Sequence, residues 1–216
     1  MLEKMGAFFD ARLDGYEEHQ LTCIAGAPEF YSQTAAALPQ TKDAALLDLG
    51  CGTGLELNAY FAENPTARLT GIDLAEGMLQ TLREKFPQQQ LTLICGSYFT
   101  QPFGEEVYDA AVSVESLHHF TKAEKIPLYQ RLHAALKPDG YFILTDYFAA
   151  DEKEEQALRA KYLSLRKAEG ISDGDFYHFD TPLTVEHEIE APKAGGFSDI
   201  RILNRWETTA LIKAMK

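Results

Sequence analysis

The sequence predicts an α/β fold built on a doubly wound, mostly parallel sheet with helices on both faces. Two observations carry that prediction. Short, nearly continuous apolar runs alternate with helix-period segments along the chain, the pattern of parallel strands buried on both faces and joined by helical crossovers. The first of those runs, Leu46 to Leu49, passes through Asp48 into Gly50-Cys51-Gly52-Thr53-Gly54. A strand-to-helix turn of that kind lets a ligand lie against the backbone, because no Cβ intrudes and φ can be positive. The helix that follows, Leu55 to Asn64, aims its unpaired N–H groups back at the turn and favours an anionic group there.

The remaining elements follow in order. A second strand closes on Thr70-Gly71-Ile72-Asp73-Leu74 and leads into a helix over Ala75 to Phe86. The third run, Leu91 to Cys95, is followed by Gly96-Ser97-Tyr98-Phe99, and the fourth, Tyr108 to Val114, by Glu115-Ser116-Leu117-His118-His119-Phe120. Thr121 and Glu124 have the spacing of a capping box for a helix to Leu136, and Pro127 in its first turns moves the expected start. Leu136-Lys137-Pro138-Asp139-Gly140 introduces a fifth strand, Tyr141 to Asp146. Asp151 with Glu154 opens a charged helix to about Glu169, stopped by Gly170. Two last strands, Phe197 to Asn204 and Thr208 to Ala214, flank Arg205-Trp206-Glu207.

Composition limits what the fold serves. The chain of 216 residues can bury one substantial core. A net charge of −13 repels a phosphate backbone, so nucleic acid is a disfavoured partner. No apolar run approaches the ~18 residues that span a bilayer, and Met1-Leu2-Glu3-Lys4 lacks the basic and apolar regions of a signal peptide. The expectation is a cytoplasmic protein with no membrane partner. Cys23, Cys51 and Cys95 have no paired metal spacing, so they are expected as reduced, mostly packed thiols with no disulfide or metal framework.

The glycine spacing bears on which cofactor the turn would hold. A dinucleotide fingerprint needs Gly-x-Gly-x-x-Gly, and the third position is Leu55 here, which disfavours a nicotinamide oxidoreductase. The Gly-x-Gly-x-Gly turn after Asp48, with Asp73 ending the second strand and the phrases that close the fourth strand and open the fifth, resembles the class I S-adenosylmethionine-dependent methyltransferases. The likeness is close over residues 44–146. It implies a seven-stranded, Rossmann-like sheet with one antiparallel strand, S-adenosylmethionine as cofactor and S-adenosylhomocysteine as product. By the same resemblance, Gly50, Cys51, Gly52 and Gly54 hold the methionine part, Asp48 lies near its amino end, and Asp73 takes the ribose hydroxyls beside Leu74 and Met78. A carboxylate accepting from two hydroxyls makes strong charge-assisted bonds. Ser97 and Tyr98 stand where many relatives read adenine with an acid, Glu115 borders the cofactor, and Tyr16 matches a tyrosine that touches it.

The family organisation implied is one domain, 1–216: an N-terminal helical cap (1–43), a cofactor-binding core (44–146), a charged helix and lid (147–196) and a closing strand pair (197–216). Aromatic residues concentrate in two covers, Phe8, Phe9, Tyr16, Phe30 and Tyr31 in the first and Phe176, Tyr177, His178 and Phe179 in the second. Such covers suit a small, partly apolar acceptor. A hydroxyl or ammonium acceptor needs a base, for which Glu115, His118 and His119 are the catalytic candidates, whereas a thiolate needs none. His133, His178 and His187 carry less weight. Missing phrases argue against nucleobase acceptors: no Asn/Asp-Pro-Pro-Tyr/Phe follows strand four, and there is no Pro-Cys dipeptide. Too few cysteines remain for arsenite. A non-methylating sulfonium enzyme or a cofactor-binding regulatory subunit would use the same cofactor residues, and monomer and homodimer both stay open.

Overall fold

In the computed structural model, which describes residues 1–172 and 174–216, three short helices come first: α1 (Met5–Asp10), α2 (Tyr16–Cys23) and α3 (Ala27–Ala37). The alternating core follows as β1 (Ala45–Leu49), α4 (Leu57–Glu63), β2 (Arg68–Asp73), α5 (Glu76–Lys85), β3 (Gln90–Cys95) and β4 (Tyr108–Val114). Then come α6 (Lys122–Ala135), β5 (Leu136–Tyr147), α7 (Glu152–Ala168), α8 (Val185–Ala194), β6 (Ser198–Trp206) and β7 (Thr209–Met215). The sheet order is β3-β2-β1-β4-β5-β7-β6. β7 is the antiparallel strand, paired with β5 on one side and β6 on the other.

The chain reverses its strand order between β1 and β4, the place where open α/β sheets bind ligands outside their carboxyl ends. All five residues of β1 are buried, and two apolar clusters cover the faces of the sheet. One packs Leu47, Leu49, Tyr129 and Phe142 under α6 and α8. The other packs Phe30, Leu46, Tyr60 and Leu82 under α3, α4 and α5. Phe30 and Tyr31 of the first aromatic cover thus belong to the core.

Several details depart from the sequence reading. The capping box of α6 forms, Thr121 accepting from the Glu124 N–H while Glu124 accepts from the Thr121 N–H at 2.8 Å. It outweighs Pro127, which sits inside the helix without moving its start. β5 starts at Leu136, because Leu136 already pairs with Tyr108 before a bulge brings Tyr141 opposite Ala110. Gly140 is needed in that bulge, since a Cβ there would stand 2.9 Å from the Lys137 carbonyl oxygen. β6 runs on through Trp206, and the turn to β7 places Glu207 at φ +48°. Helix α8, capped by Thr184 accepting from the His187 N–H, falls inside the segment expected as a lid and packs on α6. The cysteines are a further correction: Cys51 is buried, but Cys23 and Cys95 are exposed.

Candidate active site

The carboxyl ends of β1, β2 and β4 frame a narrow crevice. On its floor the turn after β1 carries Gly50 and Gly52 at φ +75° and +48°, a conformation that costs other residues strain. A Cβ on Gly50 would collide with the Ser116 side chain. The Asp73 carboxylate closes the turn from β2, accepting from the Gly52 N–H at 2.9 Å and from the Ala75 N–H at 2.8 Å. Burial pushes its pKa up, and those N–H bonds only partly offset the shift. Leu74, Met78, Tyr98 and Glu115 line the same crevice, whose roof is Met5, Phe9 and Tyr16. The Tyr16 hydroxyl comes within 3.9 Å of where a Cβ on Gly52 would stand.

Cys51 and Gly54 face a smaller inner recess beside the turn, with Glu56. Asp48 is buried beneath it, within hydrogen-bonding reach of Glu56. Burial pushes both carboxyls up, and the Glu56 charge adds to the shift of Asp48. Among the described residues, Asp48 Oδ2, Glu56 Oε1 and Glu115 Oε1 are buried without hydrogen-bond partners. Unpartnered acceptors around a Cβ-free turn fit a ligand that brings donors and positive charge, as the ammonium and sulfonium of S-adenosylmethionine do. Ser97, expected beside the adenine, lies outside the crevice lining, and its hydroxyl accepts from the Phe99 N–H at 3.2 Å, forming a local turn.

The roof is held down by specific contacts. Asp10 accepts from the Gly77 N–H at 2.9 Å, and Lys85 Nζ donates to Glu17 at 2.5 Å. Gly6 allows α1 to lie on the loop before α5, since a Cβ there would stand 2.8 Å from the Leu74 carbonyl oxygen. The two aromatic covers are also tied to each other. The Met5 N–H donates to Phe176 O and the His178 N–H to Glu3 O, both at 2.9 Å, while Phe8 stacks on His178 with ring centroids 3.5 Å apart.

Under these covers lies a chamber of about 650 Å³, lined by Phe8, His118, Tyr147, His178 and Asp180 among others. Phe9, Tyr16, Glu115 and His119 line both the crevice and the chamber. They stand where the two cavities meet. Glu115 holds a left-handed backbone at φ +49°, fixed by its N–H donating to Thr145 O at 2.8 Å, an outlier of the kind found at functional positions.

The three candidate bases differ sharply. Burial raises Glu115 to about 8, with the Asp146 charge adding to it. For His118 burial opposes the charged form, but Asp146, bonded to Nδ1 at 2.6 Å, and Asp180 outweigh it and hold the imidazolium up to about 10. Burial and the neighbouring His118 charge lower His119 to about 4. His178, given less weight from sequence, belongs to the chamber, whereas His187 pairs with Glu155 at 2.9 Å and His133 packs on Phe197, both elsewhere. Sequence reasoning missed Glu56, Asp146, Tyr147 and Asp180. Asp146 and Tyr147 had a usable signal, the carboxyl end of a parallel strand; Asp180 had none, since only the fold brings it to the histidines.

A family model described as a methyltransferase domain matches residues 46–140. The chain is 30% identical over 184 residues to the biotin biosynthesis bifunctional protein BioHC of Teredinibacter turnerae, covering 74% of this chain and 31% of that one. It is 25% identical to the carboxy-S-adenosyl-L-methionine synthase of a Nitratiruptor species, covering 78% of this chain and 74% of the relative. A tRNA (carboxymethyluridine(34)-5-O)-methyltransferase of Arabidopsis thaliana is 27% identical, with coverages of 64% and 34%. The chain thus spans about a third of the length of the BioHC and tRNA-enzyme relatives. The crystal structure of human N-acetylserotonin methyltransferase with its S-adenosylmethionine superposes with a TM-score of 0.62 at 19% identity, over 87% of this chain and 52% of that one.

Proposed function

From the premise that the chain belongs to the class I S-adenosylmethionine-dependent methyltransferases, we propose that it methylates a small-molecule acceptor held in the aromatic chamber. One observation carries the reading: the glycine-turn crevice and that chamber adjoin, sharing Phe9, Tyr16, Glu115 and His119 as lining. S-adenosylmethionine, when bound, supplies an activated methyl group for in-line transfer to an acceptor lone pair, leaving S-adenosylhomocysteine. The protein's part is to hold, orient and dehydrate.

Asp48, Glu56 and the Gly50–Gly54 turn would hold the cationic methionine end, and Asp73 the ribose, with Leu74, Met78 and Tyr98 walling the adenosine. Phe9 and Tyr16 shield that junction from water. Among the candidate bases, Glu115 is the proton acceptor. Its Oε1 is unpartnered at the junction and its raised pKa lies near neutrality, where proton transfer is efficient. His118 has a carboxylate at each ring nitrogen, which leaves it no free lone pair.

The test is turnover, followed as S-adenosylhomocysteine release, over hydroxyl, amine and thiol small molecules and over bulk tRNA. We expect a small acceptor to turn over and tRNA not to, in line with the chain's charge of −13. Turnover of tRNA alone would overturn the small-molecule reading. With a hydroxyl or ammonium acceptor, Glu115→Gln should lower kcat by roughly 10²–10⁴-fold. Unchanged kcat in the folded variant would remove Glu115 from proton transfer. A thiolate acceptor should turn over in the variant nearly as in the parent.

A further inference from the structure

The geometry points to a divalent transition-metal site in the chamber wall, made by His118 Nε2, His119 Nδ1 and Asp180 Oδ1, with its open side toward the acceptor. It deepens the proposed function and rests on reading the chamber as the acceptor site. These three ligand atoms lie within 4.8 Å of one another. Asp180 Oδ1 is 3.5 Å from His118 Nε2 and 3.3 Å from His119 Nδ1. Ligands about 2.0–2.1 Å from a tetrahedral cation stand about 3.3–3.4 Å apart. Both separations fall close to that edge length.

Among the described residues Asp180 Oδ1 is buried with no well-formed hydrogen bond of its own, while two imidazole nitrogens face it and the Tyr147 hydroxyl bonds the same carboxylate. His119 Nδ1 also makes a long hydrogen bond to Phe179 O at 3.3 Å, which a cation would replace. The surroundings have the second layer that metal sites use. Asp146 binds His118 Nδ1 at 2.6 Å and is itself fixed by the Leu117 N–H at 2.9 Å, so the ring presents Nε2 inward in the carboxylate–histidine–metal arrangement. His178 Nε2, 3.8 Å from Asp180 Oδ1, stands at the edge as a further donor.

Two imidazoles and one carboxylate suit Zn²⁺ or a similar divalent ion, with a fourth position left for a substrate atom. A cation here would take the place of the proton that His118 Nε2 otherwise turns toward Asp180. The acceptor class follows. A hydroxyl or thiol that reaches the open position would be acidified by the cation, a hydroxyl passing its proton to Glu115 on the same chamber wall, and its lone pair would face the junction with the crevice.

The experiment uses the full chain, stripped with chelator and titrated with Zn²⁺, with zinc content measured after desalting and S-adenosylmethionine titrated into the same samples. One zinc per chain is expected, and Co²⁺ should give the intense visible bands of a tetrahedral ion. His119→Ala should weaken zinc binding by at least tenfold and Asp146→Asn by about 10–100-fold, whereas His133→Gln leaves it unchanged. Asp180→Asn, at a partly exposed position, is the variant to use if a histidine replacement fails to fold. No zinc uptake by a chain that still binds S-adenosylmethionine would overturn the metal site and leave the proposed function standing. Equal zinc affinity in parent and Asp180→Asn would overturn it as well.

Discussion

Asp48→Asn should weaken S-adenosylmethionine binding by about 10–100-fold, the worth of one charge-assisted hydrogen bond, while raising the melting temperature of the cofactor-free chain. Both effects have one source. Asp48 and Glu56 are buried together beneath the glycine turn, each with an unpartnered oxygen, so ionising them in the empty site is costly and binding a cation relieves the cost. Removing one acid should recover about 2–4 °C for each kcal/mol of relief in a chain of this size. The pH dependence has a definite sign. Burial raises the Asp48 carboxyl, so above the ordinary carboxylate range near 4 the folded chain keeps a proton that the unfolded chain has lost. Stability of the cofactor-free protein therefore falls as pH rises above about 4, and cofactor affinity rises over the same window. The variant should lose part of both slopes. Calorimetric titration and thermal melts at several pH values check this; unchanged affinity in a folded variant would detach Asp48 from the cofactor.

Lys125→Met should cause the largest loss of stability. Lys125 donates to Glu188 across the α6–α8 interface, Tyr129 donates to the same carboxylate, and the two charged side chains are each 1% exposed. Breaking a buried pair leaves an uncompensated charge and costs about 3–5 kcal/mol, which lowers the melting temperature by roughly 6–20 °C at this chain length. Replacing both partners, Lys125→Met with Glu188→Leu, should restore most of it. A double variant as unstable as the single one would show that the packing of α8, and not the stranded charge, sets the loss. Because α8 anchors the segment that carries Phe176 to Asp180, the single variant should also loosen the chamber wall.

What the sequence made legible divides along a physical line. The β1 turn, Asp73 and the capping box at Thr121 are local: glycine conformation, strand ends and helix caps are written within a few residues. They appear where expected. The chamber is not local. Asp180 meets His118 and His119 across 61 to 62 positions of chain, and no periodicity announces such a meeting. Helix α8 was hidden because its apolar positions are interrupted by acids, one of which, Glu188, is buried only because Lys125 lies opposite it. Likewise Phe30 and Tyr31 looked like cover residues, yet α3 turns them into the core, while Phe8 and Phe9 reach the chamber. Composition could count the aromatics but could not assign them.

The central claim is that the methyl group is delivered where the crevice and the chamber meet, at Phe9, Tyr16, Glu115 and His119. An electron-density map of the chain crystallised with S-adenosylhomocysteine tests it most directly. The account predicts the amino group beside Asp48 and Glu56, the ribose on Asp73, and the sulfur facing the junction with the aromatic chamber. A cofactor whose sulfur faces away from that junction, with the chamber closed off from it, would contradict the account.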